Sequence, residues 1–126
     1  LSGMAHKKKK NYSEAIKDLS QAVKYDPGHY ESLNALAGIY LTRQNYSNAI
    51  DYYKKALEIR PRNYRCARNL AIAIQSQDPE NYDAAIDAWE NFLKIARKNS
   101  AAAKYVKQAE QLVKDLKDAK ALSAGQ

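Results

Sequence analysis

The chain has 126 residues, 45% apolar and 28% charged, with a formal charge of +7, four Gly and three Pro. This balance suits one ordered domain, disfavours a turn-rich all-β fold, and offers no run near the roughly 18 apolar residues of a membrane span. The single Cys excludes an internal disulfide and leaves the redox compartment open.

In chain order, the opening LSGMAHKKKK holds no apolar run of the length a secretory leader uses. Lys7–Lys10 supply four of the positive charges, and without them the chain is only mildly basic. Residues 1–62 carry 11 basic and 6 acidic side chains and residues 63–126 carry 10 and 8, an excess of +5 and +2. Residues 1–9 are read as the end of a helix, where lysines complement the negative helix terminus. Asn11 then stands where an N-cap is wanted, with Glu14 three residues on as its capping partner. The helix predicted over Tyr12–Tyr25 presents Ile16, Leu19 and Val23 before Pro27 stops it.

A helix over Tyr30–Arg43 follows, with Leu33, Leu36, Ala37 and Tyr40 at i, i+3, i+4 and i+7. The polar turn LTRQN leads to Asn45 as the next N-cap, and Ala49, Ile50, Tyr53, Ala56 and Leu57 share one helix face before Pro61. A helix over Tyr64–Gln77 carries Ala67, Leu70, Ala71 and Ile74. Past the turn SQDPEN, Asn81 caps a helix holding Ala85, Ile86 and Trp89. Ser100–Leu122 reads as one long helix, its apolar residues spaced 4, 3, 4, 3 from Tyr105 to Ala119 like a short heptad.

These elements repeat. NYSEAIKDLSQAVKYDP (Asn11–Pro27) returns 34 residues later as NYSNAIDYYKKALEIRP (Asn45–Pro61), and a third copy around Tyr82, Ala85, Ile86 and Trp89 carries two extra residues in the Ser76–Asn81 turn. Each copy is a helix pair whose small residues, such as Ala49 and Ala56, let two helices approach closely. A pair of this kind buries its apolar face only by stacking on neighbours.

The pattern Leu33-x2-Leu36-Ala37-x2-Tyr40, Ala49-x3-Tyr53, Ala56 and Pro61 resembles the tetratricopeptide repeat, which has the same 34-residue period. Departures are Leu33 for the usual Trp, Ala37 for Gly, Tyr53 for Phe, Phe92 for Ala and Arg97 for the closing Pro. The resemblance implies an all-α, right-handed solenoid of about seven helices forming a single domain over residues 1–126. Its parts are a partial first repeat (1–28), a second (29–62), a third with the insertion (63–98), and a capping helix (99–122) whose second half overhangs.

The resemblance further implies a concave groove, lined by the first helix of each pair, that holds a peptide or a partner helix. The groove-facing residues left after the core is assigned are Glu31, Asn34, Gly38, Leu41 and Thr42 on one helix. On the next they are Arg65, Arg68, Asn69, Ile72 and Gln75, with the arginines suited to an acidic peptide. The Lys/Asn/Arg clamp that some members close on a chaperone's C-terminal carboxylate is only partly matched, by Arg65 and Asn69. Gly38 stands where its Asn is needed, and the first of its three helices is largely absent.

Nothing assembles a catalytic set. Two His and one Cys are too few for an ordinary zinc site, no Gly-rich phosphate loop exists, and neither a cofactor nor a metal is expected. His29 is read as solvated or capping, and Cys66 as a packing residue. The expected function is a non-enzymatic protein–protein interaction scaffold, part of a larger assembly protein. One alternative is weak self-association, through Ile16, Leu19 and Val23 at one end and Leu112, Leu116 and Ala119 at the other, as in a piece of a longer array. Another is nucleic-acid binding by the basic charge; ten tyrosines could stack bases, but the repeat register assigns most of them to structural slots.

Overall fold

The structure is a computed structural model that describes residues 2–125, with side chains from Asn11 onward. Six α-helices follow one another: α1 (Ser2–Tyr25), α2 (Tyr30–Thr42), α3 (Tyr46–Ile59), α4 (Tyr64–Gln77), α5 (Tyr82–Ala96) and α6 (Ala103–Ala124). A single 3₁₀ turn, Ser100–Ala102, leads into α6. Each helix packs chiefly on the next in sequence, the contact pattern of a solenoid.

The helix starts are built locally. Asn45, Asn63 and Asn81 each accept a hydrogen bond from the backbone N–H three residues on, at 3.4, 3.1 and 3.2 Å. His29 caps α2, its Nδ1 facing the Ser32 hydroxyl at 2.7 Å and the Ser32 N–H at 3.3 Å. The α2–α3 turn closes as a Schellman motif: the Asn45 N–H donates to the Tyr40 carbonyl at 2.8 Å and the Gln44 N–H to that of Leu41 at 3.0 Å. Gln44 holds φ at 62°, a left-handed position that glycine usually fills.

Four expectations are corrected. The turn expected near Asn11 is absent, because α1 runs unbroken through Lys7–Lys10 and Asn11. Four good helix formers offer no left-handed residue at which to reverse the chain. Asn11 and Glu14 therefore do not cap, the lysine run does not end a helix, and six helices replace about seven. The second half of α6 does not overhang either. It lies antiparallel on α5, with Arg97–Glu110 at 3.1 Å, Glu90–Lys117 at 3.4 Å and an Asp83–Lys120 pair marking successive levels.

Two apolar clusters fill the molecule. One gathers Leu33, Ala37, Ala49, Tyr53 and Ala56 from α2 and α3. The other gathers Ala85, Trp89, Phe92, Ala109, Val113 and Leu116 from α5 and α6. Helix α4 serves both, with Cys66, Leu70 and Ala73 in the first and Tyr64, Ala67 and Ala71 in the second. Phe92, standing where the repeat pattern has Ala, is fully buried against the edge of Trp89, with ring centroids 5.7 Å apart. Ala96, Ala102 and Ala109 in the same cluster leave the room it needs.

Candidate interaction groove

The buried faces of α2 and α4 are set by periodicity. Leu33, Leu36 and Ala37, then Ala67, Leu70 and Ala71, point inward and are at most 8% exposed. The faces left over hold the residues expected for the groove. Asn34, Gly38 and Leu41 on α2, and Arg68, Asn69, Ile72 and Gln75 on α4, are half-buried; Glu31, Thr42 and Arg65 are exposed.

The structure adds what lies beneath them. Tyr53 reaches from α3 to the seam between the two helices. A Cβ on Gly38 would meet its hydroxyl at 3.7 Å, and the Asn69 side chain lies beside it. Burial, then the neighbouring Cys66 thiol, pushes the Tyr53 phenol up to about 12, so it presents a neutral hydroxyl at neutral pH. Gln75 is less free than a groove-facing position implied, since its Oε1 accepts from the Trp89 indole N–H at 2.8 Å. The Thr42 hydroxyl donates to the Gly38 carbonyl at 2.9 Å.

Arg65 and Arg68, expected to act together, diverge. The Arg68 guanidinium lies 4.8 Å from the Tyr105 ring centroid on α6. There Arg68, Ile72, Tyr105, Gln108 and Leu112 line a cavity of about 250 Å³ between α4 and α6. Arg65 turns to the N-terminal edge of α4, 5.7 Å from the Tyr64 ring centroid and beside Arg60 and Arg62. Glu31 is engaged across the repeat: Arg60 donates to it at 2.9 Å while lying 4.0 Å from the Tyr30 ring centroid. The carboxyl of Glu31 is held below its ordinary range by its own backbone N–H and, next, by Arg60 and His29.

The residues expected at self-association surfaces fare unevenly. Leu116 is 6% exposed and packed in the α5–α6 core, so it is not available to a second copy. Leu112 faces the cavity beside Arg68, and Ala119 is half-buried near Tyr82. Ile16, Leu19 and Val23 on α1 are half-buried, and Val23 packs on the α2–α3 cluster. Cys66 is buried, its Sγ 3.5 Å from the Tyr53 carbonyl, and burial pushes its thiol up to about 11. Among the described residues, no group of His, Cys, Asp and Glu is arranged to hold a metal, and no helix is long and apolar enough to cross a membrane.

A family model for the tetratricopeptide repeat matches residues 1–64, half of the chain. The chain belongs to the tetratricopeptide repeat family. Among tetratricopeptide repeat domains of known structure, it resembles that of Arabidopsis OM64 with a TM-score of 0.65 at 20% identity, over 90% of this chain and 88% of that one. It also resembles the first such domain of Spaghetti (RPAP3), described as bound to the HSP90 peptide SRMEEVD, with a TM-score of 0.63 at 17% identity, over 89% of this chain and 87% of that one. These likenesses concern the fold. In sequence it is similar to Photosystem I assembly protein Ycf3 of Prochlorococcus marinus, 25% identical over 108 residues and covering 74% of this chain. The chain spans about three fifths of that relative's length, 62%. Membership of the repeat family accounts for the 34-residue period, for the paired helices, and for the fate of α6, which covers the last pair.

Proposed function

We propose that this chain is a non-catalytic protein–protein interaction scaffold that holds a peptide or a partner helix in the concave groove of α2, α4 and α6, within a larger assembly protein. The observation that carries the reading is the floor between α2 and α4. Gly38 places no side chain over Tyr53, whose hydroxyl lies beside the Asn69 amide. Apolar Leu41 and Ile72 stay half-buried beside it, each packed on the edge of one core cluster with part of its surface left open. An extended peptide would gain hydrogen bonds from Asn34 and Asn69 and bury side chains on Leu41, Ile72 and Leu112. Arg68, anchored on Tyr105, favours an acidic ligand. The name of the curated relative, an assembly protein, and the acidic peptide bound by the Spaghetti domain are in keeping with this class of role. Gly38 supplies no side-chain amide, so a C-terminal carboxylate clamp is not part of the proposal.

The test is selection of peptides from a displayed library on the intact chain, followed by affinity measurement on two variants. Gly38→Leu fills the groove over Tyr53, and Ile72→Glu places charge at its centre. Both should abolish binding of the selected peptides and leave the thermal melt within a few degrees. Peptides that bind both variants as tightly as the original chain would refute the groove.

A further inference from the structure

The joint between α3, α4 and α5 has a second concavity, away from the groove. Leu57 and Ile95 form its floor, and Pro61, Arg62, Lys94 and Lys98 its rim, around about 720 Å³. A neighbouring pocket of about 680 Å³ shares Pro61, Arg62 and Asn99 with it and adds Arg60, Tyr64 and Arg65, so the two form one surface. No acidic side chain lines either pocket.

The charge on that surface is uncompensated. Among the described residues, Arg60 is neutralised by Glu31 and the nearby Arg97 by Glu110. Arg62, Arg65, Lys94 and Lys98 are exposed and form no ion pair with any described residue. Four free cations thus ring two half-buried aliphatic side chains, and the side-chain amides of Asn91 and Asn99 border the same surface. Like charges gathered this closely repel one another, and an anionic partner relieves that repulsion.

We infer that this surface is a second docking site, for an acidic peptide segment carrying an aliphatic side chain. The carboxylates meet Arg62, Arg65, Lys94 and Lys98, and the aliphatic group covers Leu57 and Ile95. The apolar floor argues for a peptide over a nucleic acid. A polyanion that meets phosphate-binding cations makes no use of Leu57 and Ile95, and Tyr64, the aromatic here, is 9% exposed and offers no open face for base stacking. The site draws on α3, α5, the loops at their C-terminal ends and the first turn of α4, whereas the groove draws on α2, α6 and the later turns of α4 from Arg68 on. Both can therefore be occupied at once, and a bivalent acidic partner gains affinity from the pair.

The probe is a fluorescein-labelled peptide of sequence EEDLEED, read by anisotropy on the full chain, beside EEDSEED and a seven-nucleotide single-stranded DNA. The leucine peptide should bind more tightly than the serine peptide and the DNA, and should weaken as salt rises from about 50 to about 300 mM. The double change Arg62→Glu and Lys98→Glu, both exposed and in or next to turns, should weaken it about tenfold or more. The groove substitutions Gly38→Leu and Ile72→Glu should leave it within about twofold, which separates this site from the groove. Absence of binding to the original chain, equal binding by the Glu variant with its helical circular dichroism intact, or DNA binding as tight as that of the leucine peptide would each overturn the inference.

Discussion

Asn63 carries two loads that its counterparts in the other turns do not share. Its Oδ1 accepts from the Cys66 N–H at 3.1 Å and caps α4, while its Nδ2 donates to the Tyr30 hydroxyl, 33 residues away. Burial raises the Tyr30 phenol above its ordinary range, and its hydroxyl is the acceptor of the Asn63 bond. Asn63→Ala removes both bonds. Loss of the cap costs about 1 kcal/mol. Stranding a 9%-exposed tyrosine's hydroxyl adds about 0.5–1.5 kcal/mol. The total is about 1.5–2.5 kcal/mol, or a fall in Tm of about 5–9 °C for a domain of this size. Asn45→Ala loses only an exposed cap bond of 3.4 Å and should cost about 0.5–1 kcal/mol. Urea unfolding followed at 222 nm measures both variants. Tyr30→Phe completes a cycle: it should be costly in the original chain and nearly neutral beside Asn63→Ala, a coupling of about 1 kcal/mol. Equal costs for Asn63→Ala and Asn45→Ala, or strict additivity with Tyr30→Phe, would refute the view that this side chain ties consecutive repeats together.

Ala56 is fully buried where α3 meets its neighbours, so Ala56→Leu should cost about 1–3 kcal/mol by overpacking, seen as a lower urea midpoint. Gln44→Gly should raise stability by about 0.5–1 kcal/mol, because a left-handed φ of 62° strains a side-chain-bearing residue and not glycine. Cys66 and Tyr53 have folded values pushed up to about 11 and about 12 from 9.0 and 10.0, so the unfolded chain loses those protons first as pH rises. Stability should then be constant in these two groups below pH 9 and fall above it. Cys66→Ala should flatten the part of that fall between pH 9 and 11, as read from urea midpoints across the range.

Much of the fold is legible in the sequence, because the repeat reduces it to one helix pair stacked again. Leu33, Leu36, Ala37, Ala49, Tyr53 and Ala56 follow from helical spacing and are all buried. What escapes is set by competition or by distance. Asn11 has the look of a cap, but the four lysines before it favour helix, and no residue there turns the chain. Asn63 precedes a helix in plain view, yet its bond to Tyr30 depends on how two repeats stack. The heptad spacing of α6 shows an apolar stripe without saying what covers it, so Leu116 reads as free when α5 buries it. For the sites, the groove positions are those left over from the core pattern. The basic pocket is harder to see. Arg60, Arg62 and Arg65 lie close together in the chain, but only the fold brings Lys94 and Lys98 beside them and removes Arg60 and Arg97 from the count by pairing them with Glu31 and Glu110.

Helix α4 belongs to both apolar clusters, and this has a consequence for how such a chain can diverge. Cys66, Leu70 and Ala73 answer to one neighbour and Tyr64, Ala67 and Ala71 to the other, so two opposed surfaces of a 14-residue helix are committed to packing. The stripe of Arg65, Arg68, Asn69, Ile72 and Gln75 is fully buried in neither, with Ile72 on the edge of the second cluster and Gln75 already held by Trp89. Drift toward a new partner must therefore work through about four positions on this helix, whereas α6, with a single neighbouring cluster, can change its outer residues widely. A lineage of such proteins would show α4 as a nearly constant frame carrying a short variable stripe.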